Sequence, residues 1–145
     1  MKFRCKNLLV TGGAGFIGSN FIDFILKRYQ NLKIYNLDAL TYAGNLSNTN
    51  DFKDNKNYKF LHGDISDYDL VDKLFEDYNI DGVINFAAET HVDNSILNPD
   101  IFIKSNIIGV YNLLRLCNKY WMKDNFVTNK NFENSRFHQI STDEV

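Results

Sequence analysis

The sequence predicts an α/β protein built on one doubly wound parallel sheet. Three observations carry that reading. Short β-branched or aromatic runs alternate with helix-length apolar periods, the first run ends in a cluster of glycines, and an acidic residue closes the second. The chain has 145 residues, the size of one ordinary domain, with 44% hydrophobic and 23% charged residues and a formal charge of −2. Such values exclude a disordered tail, a fibre and a coiled coil. There is no basic excess to track a phosphate backbone, so no nucleic-acid partner is expected. No apolar stretch approaches the ~20 residues of a membrane span, and residues 1–6 lead straight into a strand-like run rather than a signal peptide. Cys5 and Cys117 stand far apart without a C-x-x-C spacing, which implies neither a zinc site nor a disulfide framework. The expectation is a soluble cytoplasmic protein without a metal, its single domain covering residues 1–145.

The elements follow in order. Asn7–Thr11 (NLLVT) is continuously apolar up to the glycines and reads as a strand buried on both faces. Residues 16–29 place apolar side chains at 16, 17, 21, 24, 25 and 29, a helical face. Residues 33–37 (KIYNL) read as the second strand, closed by Asp38, and a polar, Asn-rich loop follows over residues 39–57. Tyr58–His62 reads as the third strand. Residues 67–78 then form a helix with Leu70, Val71, Leu74, Phe75 and Tyr78 on one side and Ser66 as its N-cap. Residues 83–86 make the fourth strand. After Pro99 a long helix runs to about residue 120, with Ile103, Ile107, Val110, Leu113, Leu114 and Cys117 inward. Residues 123–135 are polar loop, and residues 137–141 are the fifth strand.

The glycine cluster defines the chemistry. Residues 11–18 (TGGAGFIG) follow a strand and open a helix, and they satisfy both G-x-x-G-x-x-G (Gly12, Gly15, Gly18) and G-x-G-x-x-G (Gly13, Gly15, Gly18). The early glycines permit a tight turn, Gly15 lets backbone approach a diphosphate, and Gly18 lets helix and sheet pack closely. The helix start then offers free N–H groups to the anion. No Gly-Lys-Ser/Thr follows, which excludes a P-loop. This Rossmann-type turn makes 3-2-1-4-5 the expected strand order. Asp38 lies 20 residues after Gly18 at the end of the second strand. A carboxylate there accepts from both adenosine ribose hydroxyls and repels a 2′-phosphate, and Ala39 and Leu40 supply no arginine to neutralise one. NAD is therefore expected over NADP.

Other strand ends add candidates. Asp64 after the third strand can accept from an adenine amino group while Ile65 packs on the ring. Phe86, Ala87, Ala88 and Glu89 end the fourth strand, and the small pair lets a cofactor lie across the sheet edge. Thr142, Asp143 and Glu144 follow the fifth strand and offer a hydroxyl, an acid and a base. Read alone, Asp64 fits a turn aspartate better, His91 a structural histidine, and residues 142–144 a solvated acidic turn. Their position at carboxyl ends of strands makes them candidates.

Residues 11–20 (TGGAGFIGSN), 38–45 (DALTYAGN), 62–65 (HGDI), 87–96 (AAETHVDNSI) and 137–145 (FHQISTDEV) together resemble the dTDP-glucose 4,6-dehydratases of the extended short-chain dehydrogenase/reductase family. The resemblance spans nearly the whole chain but only the amino-terminal part of such an enzyme. It implies an incomplete NAD-binding domain, truncated after the fifth strand, with the substrate domain absent. It also implies lyase chemistry on dTDP-glucose. Hydride leaves C4, water is lost across C5 and C6, and hydride returns to C6, giving the 4-keto-6-deoxy sugar. By position, Thr142 hydrogen-bonds the C4 oxygen, Asp143 protonates the departing hydroxyl and Glu144 removes the C5 proton. Carried over likewise, Phe16, Ile17, residues 38–41 (Asp38, Ala39, Leu40, Thr41), Asp64, Ile65, Phe86, Ala87, Ala88, Glu89 and Ser105 join the glycines at NAD, and Thr90 faces the substrate. Ser105 keeps the hydroxyl of a threonine common in the family, whereas Val110 does not. The family's Tyr-x-x-x-Lys pair is expected downstream of Val145, so the chain alone should bind NAD weakly and turn over negligibly. A homodimer is implied for the intact enzyme, and self-association is expected of the chain as given. Two alternatives stay open: a 4,6-dehydratase or epimerase of another nucleotide sugar, and a non-catalytic dinucleotide-binding module.

Overall fold

In the computed structural model, which describes residues 5–141 except residue 125 and the side chain of Val92, neighbouring residues of the first strand serve two separate cores. Leu8 and Val10 of β1 (Asn7–Thr11) pack with Ile22, Ile25 and Leu26 of α1 (Phe16–Arg28). Leu9 between them faces the other way, onto Val71, Leu74 and Phe75 of α2 (Tyr68–Tyr78) and Leu113, Leu116 and Trp121 of α5 (Val110–Trp121). Strand side chains alternate by two, so helices on both faces require an unbroken apolar run. β2 (Lys33–Asp38) repeats the pattern, with Ile34 in one cluster and Tyr35 and Leu37 in the other.

With β3 (Tyr58–His62), β4 (Gly82–Asn85) and β7 (Arg136–Gln139), these strands form a five-stranded sheet in the order β3-β2-β1-β4-β7. All four pairings are parallel. The expected Rossmann-type topology is therefore present. Between β4 and α5 lie α3 (Val92–Leu97), α4 (Pro99–Phe102) and a π-helical stretch, Ile103–Gly109. A short antiparallel pair, β5 (Met122–Asp124) and β6 (Val127–Thr128), precedes β7.

Two ties fix the carboxyl edge. The Thr11 hydroxyl donates to Asn85 Oδ1, and Asn85 Nδ2 donates to Gln139 Oε1 at 2.8 Å, a polar chain across β1, β4 and β7. Asn112 Nδ2 donates to the carbonyls of Ile65 (3.2 Å) and Ser66 (2.9 Å), pinning α5 to the loop after β3.

Some expectations need correction. The core side of α1 is Gly18, Ser19, Ile22, Ile25 and Leu26, whereas Phe16, Ile17 and Phe24 are exposed. Close packing of Gly18 and Ser19 on the turn rotates the helix away from its bulkiest side chains. The N-cap of α2 is Asp67, which accepts from the Leu70 amide at 3.1 Å, and not Ser66, whose own amide is bound by Asp64. The long helix after Pro99 is really α4, the π stretch and α5. The wider π turn shifts the phase, so Ile103, Ile107 and Leu114 are exposed and Leu116 is buried instead. Upstream, Asn98 leaves the helical region at φ −144°, as a residue before proline tends to. Residues 123–135 contain the β5–β6 pair and a 3₁₀ turn, Lys130–Phe132, rather than loop alone.

Candidate functional site

At the carboxyl edge of the sheet, the ends of β1 to β4 open into one crevice. It is lined by Gly12, Gly15, Leu37, Asp38, Ala39, Thr41, Ala43, Gly44, Gly63, Asp64, Ile65, Phe86, Ala87, Ala88, Glu89 and Ser105. Residues far apart in sequence meet here because parallel strands all end on the same edge.

The turn between β1 and α1 forms the floor. Gly12 has φ +69°, and a Cβ on it would lie 2.6 Å from the Ala87 amide nitrogen. A side chain is therefore excluded both by conformation and by the end of β4. A Cβ on Gly18 would strike the Gly12 carbonyl, so α1 starts as close to the turn as backbone allows. On Gly15 the nearest atom would be the Gly12 carbonyl oxygen at 3.3 Å. Any side chain at Gly15 would instead occupy the crevice, where an anion would sit against the start of α1.

Asp38, at the end of β2, is buried. Its Oδ2 accepts from the Ala14 amide and its Oδ1 from the Leu40 amide, both at 2.8 Å. Leu40 takes φ +53° to make this bond. Gly44 closes against the same carboxylate, where a Cβ would come within 2.7 Å of Oδ1. The acid is thus fixed beside the glycine turn by backbone, with lone pairs remaining for hydroxyl donors.

Asp64 accepts from the Ser66 amide at 2.8 Å and pairs with Lys104 at 3.1 Å. Burial pushes its carboxyl up, but the Ser66 amide and hydroxyl and the Lys104 ammonium outweigh it and hold the pKa below the usual value. Ile65 beside it is buried against Gly109. Across the crevice, Asn106 clamps Glu89 by its backbone: Oδ1 accepts from the Glu89 amide at 2.9 Å, and Nδ2 donates to its carbonyl at 2.8 Å. Burial raises the Glu89 pKa. The π stretch thus presents three consecutive residues to the site: Lys104 to Asp64, Ser105 to the crevice and Asn106 to Glu89.

Most residues expected at NAD line this crevice. Phe16, Ile17, Gly18 and Leu40 do not: Phe16 and Ile17 are exposed on the first turn of α1, and Gly18 and Leu40 act through the turn and Asp38. Thr90, expected at the substrate, is exposed beyond Glu89 and does not line the crevice. Thr142, Asp143 and Glu144 lie outside the described residues. Sequence reasoning missed Leu37, Ala43, Gly44 and Gly63. Gly44 was visible within DALTYAGN as a small residue six after the acid; the others carry no signal of their own. The Tyr-x-x-x-Lys spacing, placed wholly downstream by the resemblance, also occurs at Tyr29 and Lys33. That pair joins the end of α1 to the start of β2, on the opposite edge of the sheet from the crevice. Among the described residues, no group of three His, Cys, Asp or Glu is placed to hold a metal, and no helix is long and apolar enough to cross a membrane.

Residues 9–145 match the family model described as GDP-mannose 4,6 dehydratase. The chain is 47% identical over 138 residues to the dTDP-glucose 4,6-dehydratase of Salmonella typhimurium, covering 95% of this chain and 37% of that relative's length. Among solved structures, it is similar to dTDP-glucose 4,6-dehydratase from Bacillus anthracis in complex with NAD, with a TM-score of 0.78 and 41% identity over 96% of this chain and 38% of the other. The enzyme of the same name from Streptomyces venezuelae, solved with NAD bound, gives a TM-score of 0.72 and 39% identity over 79% of this chain and 36% of the other.

Proposed function

The chain belongs to the GDP-mannose 4,6 dehydratase family, and from that premise we propose that it is the dinucleotide-binding part of an NAD-dependent dTDP-glucose 4,6-dehydratase. The observation that carries the reading is Asp38, buried and fixed by backbone amides beside a glycine turn, in a crevice at the carboxyl edge of the sheet. The residues present fit NAD. Gly15 leaves room for backbone to meet the diphosphate, Asp38 has acceptor capacity for the adenosine ribose, and Asp64 with Ile65 suits adenine. When bound, NAD supplies reversible hydride transfer between C4 and C6 of the hexose.

The chain's own residues do the rest of the proposed dehydration. Thr142 holds the C4 oxygen, Glu144 removes the C5 proton once C4 is a ketone, and Asp143 protonates the departing C6 hydroxyl, so one water leaves. A ketone next to C5 makes that proton acidic enough for a carboxylate base. The product is the 4-keto-6-deoxy sugar with no net change of redox state. Thr90, exposed beyond Glu89, faces the substrate. The chain spans about 37% of the length of its relative from Salmonella, and negligible turnover by itself is part of the proposal. In a longer protein carrying a Tyr-x-x-x-Lys pair and a sugar-nucleotide domain, the assembly is a cytoplasmic homodimer.

Calorimetry with NAD tests the binding half of this proposal, and product absorbance from dTDP-glucose tests the other. Binding without turnover by the chain is expected. Robust turnover by these 145 residues would overturn the division of labour.

A further inference from the structure

The Asn-rich segment after Asp38 does more than connect two strands. Asn48 Nδ2 donates to the Ala14 carbonyl at 2.8 Å, and the Asn45 amide donates to the same oxygen at 3.0 Å. Ala14 is fully buried in the middle of the glycine turn, and its own amide is already held by Asp38. The peptide groups on both sides of Ala14 are therefore satisfied before any ligand arrives. Glu89 differs, since its buried Oε2 has no hydrogen-bond partner among the described residues. We propose that Asn48 is a positioning residue of the dinucleotide site: by occupying the Ala14 carbonyl it fixes where α1 begins and so which amides meet the diphosphate. This assignment rests on the dinucleotide reading above.

Helix geometry supports it. Each amide in an α-helix donates to the carbonyl four residues earlier, so Gly18 would take the Ala14 carbonyl if α1 began one residue sooner. Two donors from the loop hold that oxygen, and the first bond of α1 runs instead from the Ser19 amide to the Gly15 carbonyl at 3.0 Å. Among the described residues, nothing accepts from the amides of Phe16, Ile17 and Gly18, which leaves all three to an anion. Asn48 reaches Ala14 from a firm base. It lies in a 3₁₀ turn, Leu46–Thr49, that Asn45 caps by accepting from the Ser47 amide at 2.9 Å. Thr49 and Phe52 anchor the segment in the interior, Phe52 in the same cluster as Ile22 and Ile25 of α1. Asn48 itself is exposed, so replacing it removes a donor without opening the core.

Titrating the 145-residue chain with adenosine, ADP and NAD separates a positioning role from general damage. Adenosine carries no phosphate, whereas ADP and NAD both bring the diphosphate. Asn48→Leu, close in shape but without a donor, should weaken ADP and NAD about fivefold and leave adenosine unchanged. Asn48→Gln keeps an amide donor on a longer arm and should recover part of the loss. It also serves as the readout, with ADP weakened and adenosine not, if the Leu variant does not fold. The assignment is overturned if adenosine weakens as much as ADP, if ADP and NAD keep their wild-type affinity, or if Asn48→Gln recovers nothing. A wild-type chain that binds none of the three overturns the dinucleotide reading itself, and the Asn48 assignment with it.

Discussion

Asp38 Oδ2 accepts the Ala14 amide at 2.8 Å, joining the end of the second strand to the middle of the glycine turn. One carboxylate therefore orders the turn and, in the function proposed above, also receives a sugar. Asp38→Ala should leave the Ala14 and Leu40 amides without their acceptor and destabilise the chain by ~2 kcal/mol, read by urea unfolding. Asp38→Asn keeps one acceptor and should lose less stability. Both should weaken NAD tenfold or more.

Gly12→Ala combines a positive φ with a backbone clash at Ala87. Neither strand end can retreat, because β1 and β4 are paired from Leu8↔Gly82 to Thr11↔Asn85. A loss of ~2 kcal/mol is expected in chemical denaturation, and a variant as stable as wild type would contradict the described turn.

Glu89 has a pH signature in the ligand-free chain. Burial raises its folded pKa above the unfolded value, so the folded state binds its proton more tightly. The stabilisation this gives is complete below about pH 4.3, the ordinary glutamate value, and is lost as pH rises through the folded pKa. Glu89→Gln removes that dependence. Relative to wild type, the variant should gain melting temperature at about pH 8 compared with about pH 4. A difference that is flat with pH, or of opposite sign, would contradict a desolvated carboxyl.

Ile103, Ile107, Tyr111 and Leu114 lie three or four residues apart and are all exposed, an apolar stripe along the π stretch and α5. The self-association expected of the chain from its sequence would place its contact on such a stripe. Ile107→Lys together with Leu114→Lys should lower the sedimentation mass of the chain at unchanged melting temperature. Equal self-association in the variant would place the contact elsewhere.

The central strands were legible because both of their faces are buried: the Leu-Leu-Val run of β1 is apolar without alternation, and no amphipathic helix imitates that. The placement of Gly12, Gly15 and Asp38 at the crevice was legible because a tight turn after β1 and an acid closing β2 each leave one residue type at one spacing. Helix phase was not. On α1 the close approach of Gly18 and Ser19 outweighs the pull of Phe16, Ile17 and Phe24 toward the core. Along residues 99–121 an extrapolated 3.6 period fails where the π turn begins, so Leu116 was passed over in favour of Leu114. The partnerless oxygen of Glu89 could not be read from sequence at all, since it depends on Asn106 arriving from another element.

The most direct measurement is calorimetric titration of the purified chain with NAD and, separately, with NADP. One-site binding of NAD, at least tenfold tighter than NADP and lost in Asp38→Ala, is the predicted result. A folded chain that binds NADP as tightly as NAD, or that binds neither, would contradict a crevice in which Asp38 holds the adenosine ribose.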